Sequence, residues 1–322
     1  MPESLRKSRY ISLLWQALVG VLLLLAVFYF VDFDKMFSLA AGLSPEYLLI
    51  FVALVYFDRA VVVHKWNLLL HVSRVRLPFI YLFQLYSTAQ LTALVLPSTV
   101  GGDMFRIYHL RKLGIGIDVS AASIMVERAL GFVCMLCIAV LALGVSLYLA
   151  DEQASVFAGI AGVIGAAMLF FVALYWVVRD ERVNVALREL VKRVGHKFGI
   201  SRVYKLYQQC RGYRKYPAVL AKVTTWTLLR QILPIFMNMV LVFAYDIEVS
   251  VLELVAIIPL LVLGGRIPVS FSSIGVQEGL YVILFGVVGV GASEAVLLSL
   301  TFRALMLLSV LPIAIVYYFG SS

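Results

Sequence analysis

Charged side chains are scarce in this sequence: Asp, Glu, Lys and Arg make up 14% of its 322 residues, against about a quarter in a soluble globular domain. With 63% hydrophobic residues and a mean hydropathy of +0.99, a water-soluble fold is excluded. Cysteine is limited to Cys134, Cys137 and Cys210. The first two form a CxxC inside an apolar run, with no second pair or His nearby, so they read as packing residues and not as a zinc or redox motif. Nucleotide motifs are missing: Gly101-Gly102 is not followed by Gly-Lys-Ser/Thr, and Gly114-x-Gly116 lacks the rest of a dinucleotide fingerprint. No Asp-rich metal motif occurs, so neither a metal nor a cofactor is expected. The first apolar run lacks a small-residue cleavage site and reads as an anchor. The apolar runs are continuous and do not alternate, which excludes a β-barrel.

What is there is a series of apolar runs of about 20 residues, the length that crosses a hydrocarbon core of roughly 30 Å. The expected fold is an all-α polytopic membrane protein, a single membrane domain over 1–322. The net charge of +9 does not point to nucleic acid, because Lys and Arg gather at the ends of the runs as the positive-inside rule requires. Arg6, Lys7 and Arg9 precede the first span, 10–31, and put the N-terminus in the cytoplasm. Further full spans are expected at 47–63, 119–149, 156–178, 218–245 and 295–319, six in all, returning the C-terminus to the cytoplasm. Lys65, Arg74 and Arg76 read as the basic loop after the second span, and Trp66 and the tyrosines at 204, 207, 213 and 216 as interfacial anchors. The most basic stretch, 179–215, divides a first half (10–178) from a second (216–322). Val183, Leu187, Leu190, Val191, Val194 and Phe198 recur there at helical spacing. An amphipathic helix on the anionic cytoplasmic leaflet and a solvated linker both fit.

Two runs break in the same way. The first, after 79–96, holds Pro97, Ser98, Thr99, Gly101, Gly102 and Asp103; the second, near 264–279, holds Pro268, Ser270, Ser272, Ser273, Gly275 and Glu278. Pro removes a donor and ends the incoming arm, and Gly lets the chain turn and a ligand approach the backbone. Irregular backbone survives at membrane depth only inside protein or beside a wet cavity. The charge pattern favours re-entrant helical hairpins over full crossings, entering from opposite faces as in an inverted-repeat transporter. The helix after each break offers free N–H groups and a partial positive charge, a seat for an anion.

Charges lie within the apolar runs: Asp58 with Arg59, Asp103 with Arg106, Glu127 with Arg128, and Arg230, Arg266, Glu278 and Arg303. Each costs at least about 2.5–3.5 kcal/mol at mid-helix on insertion scales, so a partner or a role is expected. Arg suits a lipid phosphate because its planar fork donates bidentately. Arg230 and Arg303 lie deepest and most need a partner.

The segments "LPSTVGGDMFRIYHLRKLG", "AASIMVERALGF" and "GGRIPVSFSSIGVQEGLYV" resemble the lysylphosphatidylglycerol synthase transmembrane-region family, the MprF-type flippase domain, over about 10–320. The matching positions are Pro97, Gly101, Gly102, Asp103 and Arg106; Glu127 and Arg128; and Pro268, Gly275, Glu278 and Gly279. The resemblance implies a stand-alone member that moves a lipid across a bacterial or archaeal cytoplasmic membrane. Aminoacylated phosphatidylglycerol is the best-known cargo; polyprenyl-linked, glycosylated and hopanoid lipids are associated with stand-alone relatives. The sequence carries no soluble acyltransferase-like domain that would load an amino acid.

A lipid flippase is therefore the leading expectation, without catalysis. Its headgroup site would comprise Ser98, Thr99, Gly101, Gly102, Asp103, Arg106, Glu127, Arg128, Arg230, Arg266, Ser272, Ser273, Gln277, Glu278 and Arg303. The alternative is an intramembrane transferase acting on a lipid-linked substrate, with Asp103 or Glu127 as general base. Membrane lipids, phospholipid or polyprenyl-linked, are the expected partners. A separate lipid-modifying synthase and a second copy of the chain are left open.

Overall fold

The computed structural model describes residues 44–95, 100–149, 200–266 and 274–319, with isolated positions between 162 and 189. The spans expected at 10–31 and 156–178, the amphipathic stretch 183–198, and Pro97, Ser98, Thr99, Pro268, Ser272 and Ser273 lie outside these residues, apart from a few helical positions in the second and third of those stretches.

Among the described residues the chain is helical without strands. In chain order the helices are α1 (Pro45–Val72), α2 (Phe79–Val95), α3 (Val100–Lys112), α4 (Ile117–Leu149), α5 (Ile200–Gly212), α6 (Pro217–Arg230), α7 (Leu233–Ala244), α8 (Val251–Gly264), α9 (Val276–Val287), α10 (Ala292–Leu308) and α11 (Leu311–Phe319). Four stretches are long and apolar enough to cross a bilayer: Pro45–Val72, Ile117–Leu147, Pro217–Ala244 and Ala292–Tyr317. They coincide with four of the six expected spans. Pro234 separates α6 from α7, and Pro312 separates α10 from α11, because each ring removes a donor and crowds the preceding turn. Helices α8 and α9 are apolar but short, 14 and 12 residues, or about 21 and 18 Å at 1.5 Å per residue.

Helix α1 runs past the end of the expected second span to Val72, which moves Lys65 and Trp66 out of the loop and into the bundle. Trp66 is fully buried and donates from its indole to Ser123 Oγ at 3.1 Å, so it is a core residue and not an interfacial anchor. Tyr213 is likewise buried, its hydroxyl donating to the Leu69 carbonyl at 3.2 Å. It helps dock α5, the end of the basic stretch, onto α1 and α4, beside Leu69, Ala122 and Val223. Cys210 sits in that contact, and burial pushes its thiol up to about 11. The three cysteines are free.

The described helices fall into two series with one plan: a long helix, a six-residue loop, a short arm, a break, a second short arm, a four-residue loop, and a long helix. Shifting α1 and α2 by 172 positions lays Pro45–Val72 on Pro217–Ala244 and starts α2 on α8. Shifting the later elements by 175 ends α3 on α9 and starts α4 on α10. The backbone repeats at this resolution. Arg74 (φ 59°) and Asp246 (φ 52°), the non-glycine residues with positive φ among those described, are equivalent; so are Gly114 (φ 80°) and Gly289 (φ 83°). These left-handed residues end helices by capping their last carbonyls. Ile115 N–H reaches back to the Leu110 carbonyl as Val290 N–H does to Phe285.

The halves embrace. Helix α4 packs along α8, and α11 along α2, while α1 crosses α6 and α7. The main core gathers α1, α4, α7, α8, α9 and α10 around Phe51, Met237, Ile257, Tyr281 and Phe285. A second cluster joins α2 to α3 and α1 through Leu82, Leu85, Leu110, Val63 and Trp66. Leu82 near the start of α2 and Leu110 near the end of α3 share that cluster, so the two arms fold back on each other.

An inverted repeat requires the loop after α3 and the loop after α9 to face opposite sides of the membrane. In a cysteine-free background, Leu113→Cys is expected to react with an impermeant maleimide only from the cytoplasmic side and Ala292→Cys only from the outer side. Labelling of both from one side rules out the inverted arrangement.

Candidate functional site

The charges of the membrane interior are not paired as their order in the chain suggests. Adjacent residues on a helix point about 100° apart and do not face one another. Asp58 therefore turns away from Arg59 and takes Arg230 of α6 in a two-pronged contact, Nε–Oδ1 at 2.7 Å and Nη2–Oδ2 at 3.1 Å. Arg128 leaves Glu127 and binds Asp103 at 2.6 Å. Arg106 meets Glu127 at 3.0 Å and Asp103 at 3.6 Å. Glu278 takes Arg303 at 3.0 Å, and its other oxygen accepts the Gly275 N–H at 2.7 Å, capping α9. Gln277 Oε1 accepts a further bond from Arg303 at 3.2 Å.

These contacts obey the repeat. Asp103–Arg128 and Glu278–Arg303 are the same contact in the two halves, each partner displaced by 175 positions. Arg59 donates to the Met306 carbonyl at 3.2 Å, and its counterpart Gln231 donates to the Gly131 carbonyl, counterpart of Met306, at 3.3 Å. The Met306 carbonyl is available because Val310 N–H bonds to Leu307 instead, tightening the turn before Pro312. Asp58 and Arg230 are 172 positions apart, so this pair joins a residue to its own counterpart in the other series.

At one place the halves differ. The Arg106 guanidinium lies over the Trp66 ring, 3.8 Å from its centroid, and 5.3 Å from that of Tyr86, a cation–π seat that seals the first half. The counterparts of Trp66 and Arg106 are Asn238 and Tyr281, and they are hydrogen-bonded at 2.8 Å. Beside them opens a cavity of about 150 Å³ whose wall includes Leu261, Val262, Gly265, Arg266, Gln277 and Phe302. Arg266 is exposed to it and lies within the electrostatic range of Arg230, Arg128 and Asp58. Among the described residues no carboxylate pairs with Arg266.

Of the expected site, Asp103, Arg106, Glu127 and Arg128 form one connected charge cluster, Arg230 pairs with Asp58, and Gln277, Glu278 and Arg303 form another; Arg266 and Gln277 share the cavity wall. Gly101 and Gly102 are buried in the first turn of α3. Counting Arg59 and Lys65 with them, seven cations face four carboxylates among the described residues.

A family model described as the lysylphosphatidylglycerol synthase TM region matches residues 13–314. The chain belongs to that family. A relative named UPF0104 membrane protein, from Methanothermobacter thermautotrophicus, is 24% identical over 319 residues, covering 94% of each chain. No solved structure gives a significant match.

For this family member, sequence reasoning passed over Asn238 and Tyr281 and misplaced Lys65 and Trp66 outside the bundle. Lys65 is buried and donates to Thr227 Oγ1 at 3.1 Å. A signal for Tyr281 existed: Arg128-Ala129-Leu130 recurs as Arg303-Ala304-Leu305, and aligning them carries Arg106 onto Tyr281.

Breaking a buried ion pair from one side strands the other charge, at about 3–5 kcal/mol. Asp58→Ala is expected to lower the thermal unfolding midpoint in detergent far more than a surface change does. The exchange Asp58→Arg with Arg230→Asp puts each charge at its counterpart's position and is expected to recover most of the loss. Additive damage in the double variant would show that the pair does not hold the halves together.

Proposed function

We propose that this protein moves a membrane lipid between leaflets, taking the polar headgroup at the charge cluster between the two broken runs while the acyl chains stay in lipid. The observation that carries this reading is Arg266: an accessible arginine with no carboxylate partner among the described residues, on the wall of the second-half cavity. A cation at such depth needs an anion, and a lipid phosphate is the anion a bilayer provides. Family membership agrees with a membrane-lipid role. The short arms α2–α3 and α8–α9 serve as re-entrant hairpins from opposite faces of a bacterial or archaeal cytoplasmic membrane, with both termini inside. The two halves then exchange exposure by moving against each other about the Asp58–Arg230 contact, as inverted repeats do.

The transferase alternative fits less well. Its general base would be Asp103 or Glu127, and both are already engaged by arginine side chains.

Purified protein in liposomes holding a fluorescent phosphatidylglycerol tests the reading. Headgroup movement without chemical change is expected. Arg266→Ala is expected to reduce it at least about tenfold while the protein still inserts and folds. Undiminished movement in that variant removes Arg266 from the site; a new lipid species on mass spectrometry favours catalysis.

A further inference from the structure

The second-half cavity carries information about which headgroup it takes, given the lipid-binding reading above. Its walls offer one cation and neutral polar groups. Asn238 is fixed: its Nδ2 donates to the Pro234 carbonyl at 2.8 Å, and its Oδ1 accepts the Tyr281 hydroxyl. Tyr281 and Asn238 are spent on each other and both side chains are buried in the cavity wall. Gln277 spends its oxygen on Arg303, which leaves its amide N–H groups as donors. Those groups suit hydroxyls.

A headgroup amine would need a carboxylate, and each one near the cavity is occupied. Asp58 holds Arg230 with both oxygens, Asp103 holds Arg128 and Arg106, Glu127 holds Arg106, and Glu278 holds Arg303 and caps α9. At about 150 Å³ the cavity displaces some five waters' worth of volume, room for a small polyol.

We infer that the cavity between Arg266, Gln277, Asn238 and Tyr281 is a specificity subsite for a phosphodiester lipid whose headgroup beyond the phosphate is uncharged and hydroxylated, and that it rejects cationic, aminoacylated headgroups. The phosphate neutralises Arg266 and a polyol hydroxyl accepts from the Gln277 amide. A lysyl headgroup would bring ammonium groups into a region where cations already outnumber carboxylates, and such like-charge juxtaposition costs several kcal/mol.

Native mass spectrometry of the whole protein with equimolar phosphatidylglycerol and lysyl-phosphatidylglycerol tests this. Wild type is expected to favour phosphatidylglycerol by at least about tenfold, the ratio set by 1.4 kcal/mol. Gln277→Glu keeps the side-chain shape; one carboxylate oxygen goes on accepting from Arg303, and the other, in place of the amide, is left unpaired on the wall, so it is expected to shift occupancy toward lysyl-phosphatidylglycerol. Arg266→Gln is expected to collapse phosphatidylglycerol occupancy. Equal or preferred binding of lysyl-phosphatidylglycerol by wild type overturns the inference, and that measurement needs no variant to fold. The liposome assay separates this from the transport reading. Selective phosphatidylglycerol binding without headgroup movement would sink transport and leave the subsite standing. Equal binding and equal movement of both lipids would sink the subsite and leave transport standing.

Discussion

The arrangement depends on one ion pair, Asp58 with Arg230. Each charge alone is costly in a membrane, and together they satisfy each other with two parallel hydrogen bonds. The pair joins the first long helix of one series to the first long helix of the other. It thereby fixes how α1 crosses α6, and the other cross-half contacts, α4 on α8 and α11 on α2, follow from that crossing. Hydrophobic packing has little leverage on helix association in lipid, where tails are as apolar as the side chains. Polar contacts of defined geometry therefore set the register.

Around this pair the remaining charges form a graded series. Arg59 is bound to a carbonyl freed by a proline-tightened turn, and Lys65 to a threonine hydroxyl. Arg106 is stacked on Trp66 and paired with acid, Arg128 and Arg303 bind the acidic residues that open α3 and α9, and Arg266 has solvent-accessible surface and no acid beside it. The structural cations are each held by at least one protein acceptor. This ordering separates Arg266 from six other basic residues of similar sequence surroundings, which composition and position along the runs do not.

Much of the fold was legible in the sequence. Run length gave the long helices, and the Pro, Ser/Thr and Gly clusters gave both breaks, because these depend on local chemistry. The pairing of charges was not legible. Asp58 and Arg59 look like partners on paper, and only the 100° turn between neighbours on a helix shows that they cannot be; the true partner lies 172 positions on. Trp66 misled for a related reason. Tryptophan after an apolar run usually marks the interface, but α1 continues beyond the run, its polar members absorbed by neighbouring helices. The candidate residues flanking the breaks were found because their chemistry is unusual in lipid. Asn238 and Tyr281 escaped because neither is unusual by itself; their meaning comes from standing where Trp66 and Arg106 stand in the other half.

The self-equivalence of Asp58 and Arg230 also bears on symmetry. Were two identical halves to meet about a two-fold axis, the residue on that axis would face its own copy, acid against acid or arginine against arginine, in a medium that tolerates neither. An oppositely charged contact there is accessible only to halves that are no longer the same. In a single polypeptide that carries both series the two positions can differ, and here they hold opposite charges in direct contact.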